Sequence, residues 1–170
     1  MMIIKKTDPD MVKPKGPVER AVSRMGSKGK GVSESMKEIN VEATVNNIEL
    51  ISDFVNEQLE AAGCPTKAVF QIDVAIDELF GNIARYAYKG APGNVLVRFQ
   101  LIQTPPSAMI TLIDEGIPFN PLECEEPDIT LPSGERPVGG LGVFLSRKIM
   151  DELRYEYKNG KNILHIIKNF

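Results

Sequence analysis

Gly139-Gly140-Leu141-Gly142 places three glycines within four residues and runs straight into the amphipathic stretch Val143-Phe144-Leu145. No other segment restricts the fold so strongly. Glycine admits close backbone approaches closed to other residues, and a helix start carries unpaired N–H groups with partial positive charge. Such a segment either caps and packs a helix tightly or cradles an anion such as phosphate. Two upstream segments could complete the second arrangement: Glu78-Leu79-Phe80-Gly81-Asn82 in a helical pattern, and Asp114-Glu115-Gly116 at the end of an apolar run.

A chain of 170 residues suits one domain with a single sizeable core and a tail. No apolar run reaches the length of a membrane span, and Met1-Met2-Ile3-Ile4-Lys5-Lys6 is too short in its apolar part for a signal peptide. Cys64 and Cys124 are too few for a disulfide framework and read as reduced thiols, so a cytoplasmic location is expected. Residues 1–38 hold nine Lys/Arg against five Asp/Glu, a net of +4, which leaves −7 for the remainder of a chain whose total is −3. That segment, rich in Pro, Gly, Ser and Lys, reads as a basic, solvated extension, and residues 39–170 as the folded domain. The acidic domain argues against direct nucleic-acid binding.

Within the domain, Ile39 to Thr44 alternates as a short strand, and Asn47 to Ala62 carries the helical stripe Ile48, Ile51, Val55, Leu59, with Gly63 as its C-terminal cap. A second helix starts at Pro65-Thr66, with Thr66 as the candidate N-cap, and its stripe Ile72, Ile76, Leu79, Ile83, Ala87 carries it to about Tyr88. Val95 to Ile102 and Met109 to Asp114 read as strands around the turn Thr104-Pro105-Pro106-Ser107. Glu115 to Val138 shows no sustained period, as expected of a lid or binding loop. A helix from Gly142 to about Leu153 follows. Arg154 to Lys158 and Asn162 to Lys168 form a hairpin about Asn159-Gly160, a type I′ signal. The order β-α-α-β-β-lid-α-β-β predicts a two-layer α/β sandwich: a mixed, mostly antiparallel sheet with helices on one face.

Glu78, Asn82 and Arg85 share one side of the second helix. A carboxylate can take a proton, an amide oxygen can ligate Mg²⁺, and a guanidinium can neutralise phosphate. The plainer alternative is a solvated helix face with a Glu78–Arg85 ion pair. Asp114 can accept a hydrogen bond from an exocyclic amine such as that of adenine, with Gly116 letting a flat ring approach the backbone. It can equally be a turn residue. His165, in the final strand, reads as a sheet residue, and no Ser/His/Asp, Cys/His or zinc pattern is present.

Taken together, Asp77 to Tyr88, Asp114 to Pro121 and Gly139 to Asp151 resemble the N box and the two glycine boxes of the GHKL ATP-binding superfamily. More closely, they resemble the bacterial stand-alone anti-sigma regulatory factors that are also serine/threonine protein kinases. The likeness covers about Ile39 to Asn169. It implies the Bergerat fold of histidine-kinase-like ATPases, and neither a P-loop nor an H-R-D catalytic loop occurs in the chain. Carried over by position, Glu78 would be the general base, Asn82 the Mg²⁺ ligand and Arg85 a phosphate contact. Asp114 would bind the adenine amine beside Gly116, and Gly139, Gly140, Leu141 and Gly142 would hold the phosphates. Tyr86 stands where these kinases often have His, and Asn120 where many have Asp.

The resemblance therefore implies an ATP–Mg²⁺-dependent serine/threonine kinase. Its acceptor would be a STAS-type anti-anti-sigma protein, and it would also sequester a sigma factor. The open face of the sheet offers a surface for a homodimer. Two other readings stay open: a non-catalytic ATP-binding module that sequesters a partner, and simple ATP hydrolysis.

Overall fold

The computed structural model describes residues 36–124 and 140–170. Apart from its last three residues, the expected basic extension lies outside them, as does most of the expected lid. Five strands form one sheet: β1 (Lys37–Glu42), β2 (Asn94–Gln103), β3 (Pro106–Asp114), β4 (Glu152–Lys158) and β5 (Lys161–Asn169), in the order β1-β2-β3-β5-β4. All four pairings among the described strands are antiparallel, so the mixed element of the expectation does not occur among them. Helices α1 (Ile48–Ala61), α2 (Thr66–Asn82) and α3 (Leu141–Ile149) supply the second layer.

The core lies between sheet and helices. From α1 come Ile51, Val55 and Leu59, and from α2 Ile72, Ile76, Leu79 and Phe80; alternate positions Val95, Val97, Phe99 and Ala108, Ile110, Leu112 answer from β2 and β3. Strand period 2 thus assigns Asp114 to the same face as Leu112, where it is only 4% exposed. On β5 the core-facing set is Leu164 and Ile166, and the same alternation brings Asn162 to that face. On the other face, His165 meets Thr111 across the ladder, Nδ1 to Oγ1 at 2.9 Å, and burial lowers the imidazole pKa.

The helix stops follow their expected chemistry in part. Gly63 takes φ +68°, Cys64 N–H donates to Leu59 O and Gly63 N–H to Glu60 O, both at 2.9 Å, which closes α1 in a Schellman motif. Asn159 and Gly160 both have positive φ, as a type I′ hairpin requires.

Three local expectations are corrected. Pro65 flanks α2, not Thr66: Thr66 is already helical, and Pro65 O takes the N–H bonds of Ala68 and Val69 at 2.8 and 3.1 Å with no side-chain cap. The regular helix ends at Asn82 and widens into a π turn over Ile83–Ala87. Finally, α3 stops at Ile149 instead of Leu153, because Asp151 N–H already bonds Ile167 O at 3.1 Å and starts the β4 ladder.

Candidate functional site

The last turn of α2 and the start of α3 enclose a cleft of about 340 Å³, lined by Glu78, Asn82, Arg85, Tyr86, Gly140, Leu141, Gly142 and Leu145. Helical spacing turns Glu78, Asn82 and Arg85 to this side, while Leu79 and Phe80 are buried beneath. No ion pair joins Glu78 to Arg85 among the described residues. Instead the Arg85 guanidinium lies over Gly81, where an added Cβ would stand 2.8 Å from Nη1.

Gly140 precedes α3 with φ +92°, a left-handed conformation suited to glycine, and open space surrounds its missing side chain. No described side chain caps the helix; its first N–H groups, which helix geometry leaves without intrahelical partners, and its positive end border the cleft. Gly142 is a matter of space. A Cβ there would overlap the Glu78 carboxylate, so the absence of a side chain is what lets Glu78 lie against α3. Gly139 lies outside the described residues.

Asp114 and Gly116 do not line this cleft; they form an adjoining centre tied to α2 through the π turn. Ile117 N–H donates to Ala87 O at 2.9 Å, and a Cβ on Gly116 would stand 2.6 Å from Ala87 Cβ. π turns of this kind are frequent at functional sites, and here the turn joins the Asn82–Arg85 segment to the Asp114 loop. Burial raises the Asp114 pKa above its ordinary value, and hydrogen bonds from Asn162 and the Gly116 N–H partly offset that effect. Both described hydrogen bonds to this carboxylate end on Oδ1: Gly116 N–H at 2.8 Å and Asn162 Nδ2 at 2.9 Å. Tyr88 braces the same loop, its hydroxyl accepting from Glu115 N–H at 3.0 Å and donating to Asn94 O at 2.7 Å. At the surface Glu115 pairs with Lys161 at 2.9 Å.

Sequence reasoning did not single out Asn162, Tyr155, Tyr88 or Leu145. The first three act through strand pairing or hydrogen bonds between distant segments, which no local motif displays. Leu145 stands in the amphipathic stretch after the glycines, and the fold leaves it 40% exposed at the cleft edge.

A two-layer antiparallel sandwich with a carboxylate, an amide and a helix start around one cleft has the parts of an anion-binding site. The family described as "Histidine kinase-like ATPase domain" matches residues 41–168, and the chain belongs to that family. Membership makes ATP the ligand class of this fold. The chain is 28% identical over 117 residues to the serine-protein kinase RsbW of Bacillus mycoides (strain KBAB4), covering 63% of this chain and 72% of the relative. It is likewise 28% identical over 115 residues to the RsbW of Bacillus cereus (strain AH187). Among solved structures it resembles the crystal structure of the RsbU and RsbW domains of Rv1364c from Mycobacterium tuberculosis, with a TM-score of 0.55 and 18% identity. That match covers 79% of this chain but only 32% of the other, and it speaks for the fold alone. No described helix is long and apolar enough to cross a membrane.

Proposed function

We propose that the protein is an ATP–Mg²⁺-dependent serine/threonine protein kinase built on residues 39–170. The single observation that carries this reading is the cleft in which Glu78, Asn82 and Arg85 face Gly140 and Gly142. Glu78 receives the proton of an acceptor hydroxyl as its oxygen attacks the γ-phosphorus. The bond from that phosphorus to the β–γ bridging oxygen breaks, and ADP leaves with its electron pair. Arg85 and the N–H groups at the start of α3, with Gly139, Gly140, Leu141 and Gly142, offset phosphate charge. Asp114 accepts the adenine amine beside Gly116.

Among the described residues no group of three or more His, Cys, Asp or Glu could hold a metal. Asn82 lines the cleft and offers one amide oxygen, which suits Mg²⁺, an ion that binds through few protein oxygens and takes its other ligands from phosphate and water. Asn82 Oδ1 is the protein oxygen that would hold it, and the bound ion would neutralise phosphate charge.

The relatives' designation as serine-protein kinases supports a protein hydroxyl as the acceptor. The family resemblance supports a STAS-type anti-anti-sigma protein as that acceptor, a sigma factor as a second partner, a homodimer across the open sheet face and a cytoplasmic setting. The test is phosphotransfer from γ-labelled ATP to STAS proteins of the same genome. Glu78→Ala is expected to bind ATP and lose transfer, and undiminished transfer would remove Glu78 from the mechanism. ATP binding by the wild type without transfer to any acceptor would favour the non-catalytic module.

A further inference from the structure

Asn162 sits beneath the Asp114 loop with 6% of its surface exposed, directly opposite Asp114 in the β3–β5 register. Its Nδ2 donates to Asp114 Oδ1 at 2.9 Å and reaches Gly116 O and Ile117 O at 3.4 and 3.3 Å. Its Oδ1 accepts from Tyr155 Oη at 2.7 Å and from Phe119 N–H at 3.2 Å. A primary amide offers two N–H donors and one oxygen with two lone pairs, so this network uses its whole capacity.

The network also fixes which way the amide points. Phe119 N–H can only donate, so Oδ1 must face it. A flipped amide would set its oxygen against the Asp114 carboxylate and leave a buried N–H unpaired. With Oδ1 of Asp114 occupied twice, the second carboxylate oxygen is the one left for a ligand.

We propose that Asn162, held by Phe119 N–H and Tyr155, is a positioning residue that sets base specificity: it fixes the Asp114 carboxylate so that its free oxygen, an acceptor, meets the position of the purine 6-substituent. Adenine presents an amine there, whereas guanine presents a carbonyl, and two acceptors face to face repel. Once the carboxylate can turn, its oxygen can leave the guanine carbonyl and accept from the neighbouring N1–H instead, so discrimination falls. The inference rests on the nucleotide reading of the site. It assigns the choice of base to a residue of β5 that the proposed phosphate-binding groups do not touch.

Calorimetric titration of the full chain with ATP and, separately, with GTP tests this, with thermal denaturation as the folding control. In Asn162→Leu the ratio of ATP to GTP affinity is expected to fall about tenfold or more, and in Tyr155→Phe about threefold. Equal weakening for both nucleotides would show that Asn162 merely pins the loop, and would overturn the proposal. If Asn162→Leu does not fold, Tyr155→Phe decides, and an unchanged ratio there overturns it. Wild-type protein that binds neither nucleotide would refute the nucleotide reading itself, an outcome distinct from an unchanged ratio.

Discussion

Substituting Gly142 separates catalysis from stability. Gly142 is the second residue of α3, and a Cβ there would overlap Glu78 Oε2 and Cδ and stand 3.0 Å from Cγ. The obstructing atoms are the far end of a flexible side chain, so in Gly142→Ala the carboxylate swings aside while the backbone stays. Alanine gains up to about 1 kcal/mol of helix propensity over glycine. The displaced Glu78 rotamer costs roughly 0.5–1.5 kcal/mol, so net stability should change by less than about 1 kcal/mol. Catalysis should suffer far more. A positioned general base contributes about 10²–10⁴ in rate, or roughly 2.7–5.4 kcal/mol of barrier. Single-turnover phosphotransfer from γ-labelled ATP should therefore fall at least about a hundredfold, with the thermal transition hardly moved. Gly140→Ala should behave in the opposite sense: nothing lies within 4 Å of its missing side chain, but its φ of +92° is hostile to alanine. A stability loss of about 1–2 kcal/mol is expected there. If Gly142→Ala transferred phosphate within about threefold of wild type, the close approach of Glu78 to α3 would have no catalytic meaning.

Three further outcomes follow from other parts of the fold. Burial raises the Asp114 pKa, so its acceptor form is lost at a higher pH than for an ordinary carboxylate. ATP affinity should weaken as pH falls through that raised pKa, and Asp114→Asn should bind weakly with the pH dependence gone. His165 is the reverse case for stability. Its pKa is depressed by burial below the ordinary 6.5, so the unfolded chain binds the proton more readily. The melting temperature should hold above that pH and drop as pH falls through the window down to the folded-state pKa, and His165→Gln should flatten the drop. Phe80 is fully buried between the helices and the sheet, and Phe80→Ala should cost about 3–5 kcal/mol in chemical denaturation. A loss below about 1 kcal/mol would mean that the core is not packed as described.

The elements that announced themselves in the chain are those whose signals are local. Ile51, Val55 and Leu59 repeat at helical spacing, Gly63 stands where only a left-handed stop serves, and Asn159-Gly160 can scarcely be anything but a tight hairpin turn. For the same reason the spacing of Glu78, Asn82 and Arg85 is enough to place them on one side of a helix. Local signals failed where a distant partner competed. Widening of α2 at Ile83–Ala87 accompanies the Ile117–Ala87 hydrogen bond, and the early end of α3 accompanies the pairing of Asp151 with Ile167.

What the sequence determined by itself was the set of chemical groups and their order along the chain, because periodicity and turn chemistry act over a few residues. Only the tertiary structure decided which of those groups meet. Register between β3 and β5 sets Asn162 opposite Asp114, and close packing of α3 on α2 brings Gly142 against Glu78. Both contacts join residues far apart in sequence. They exist because burying one shared apolar core leaves the strands and helices a single way to align.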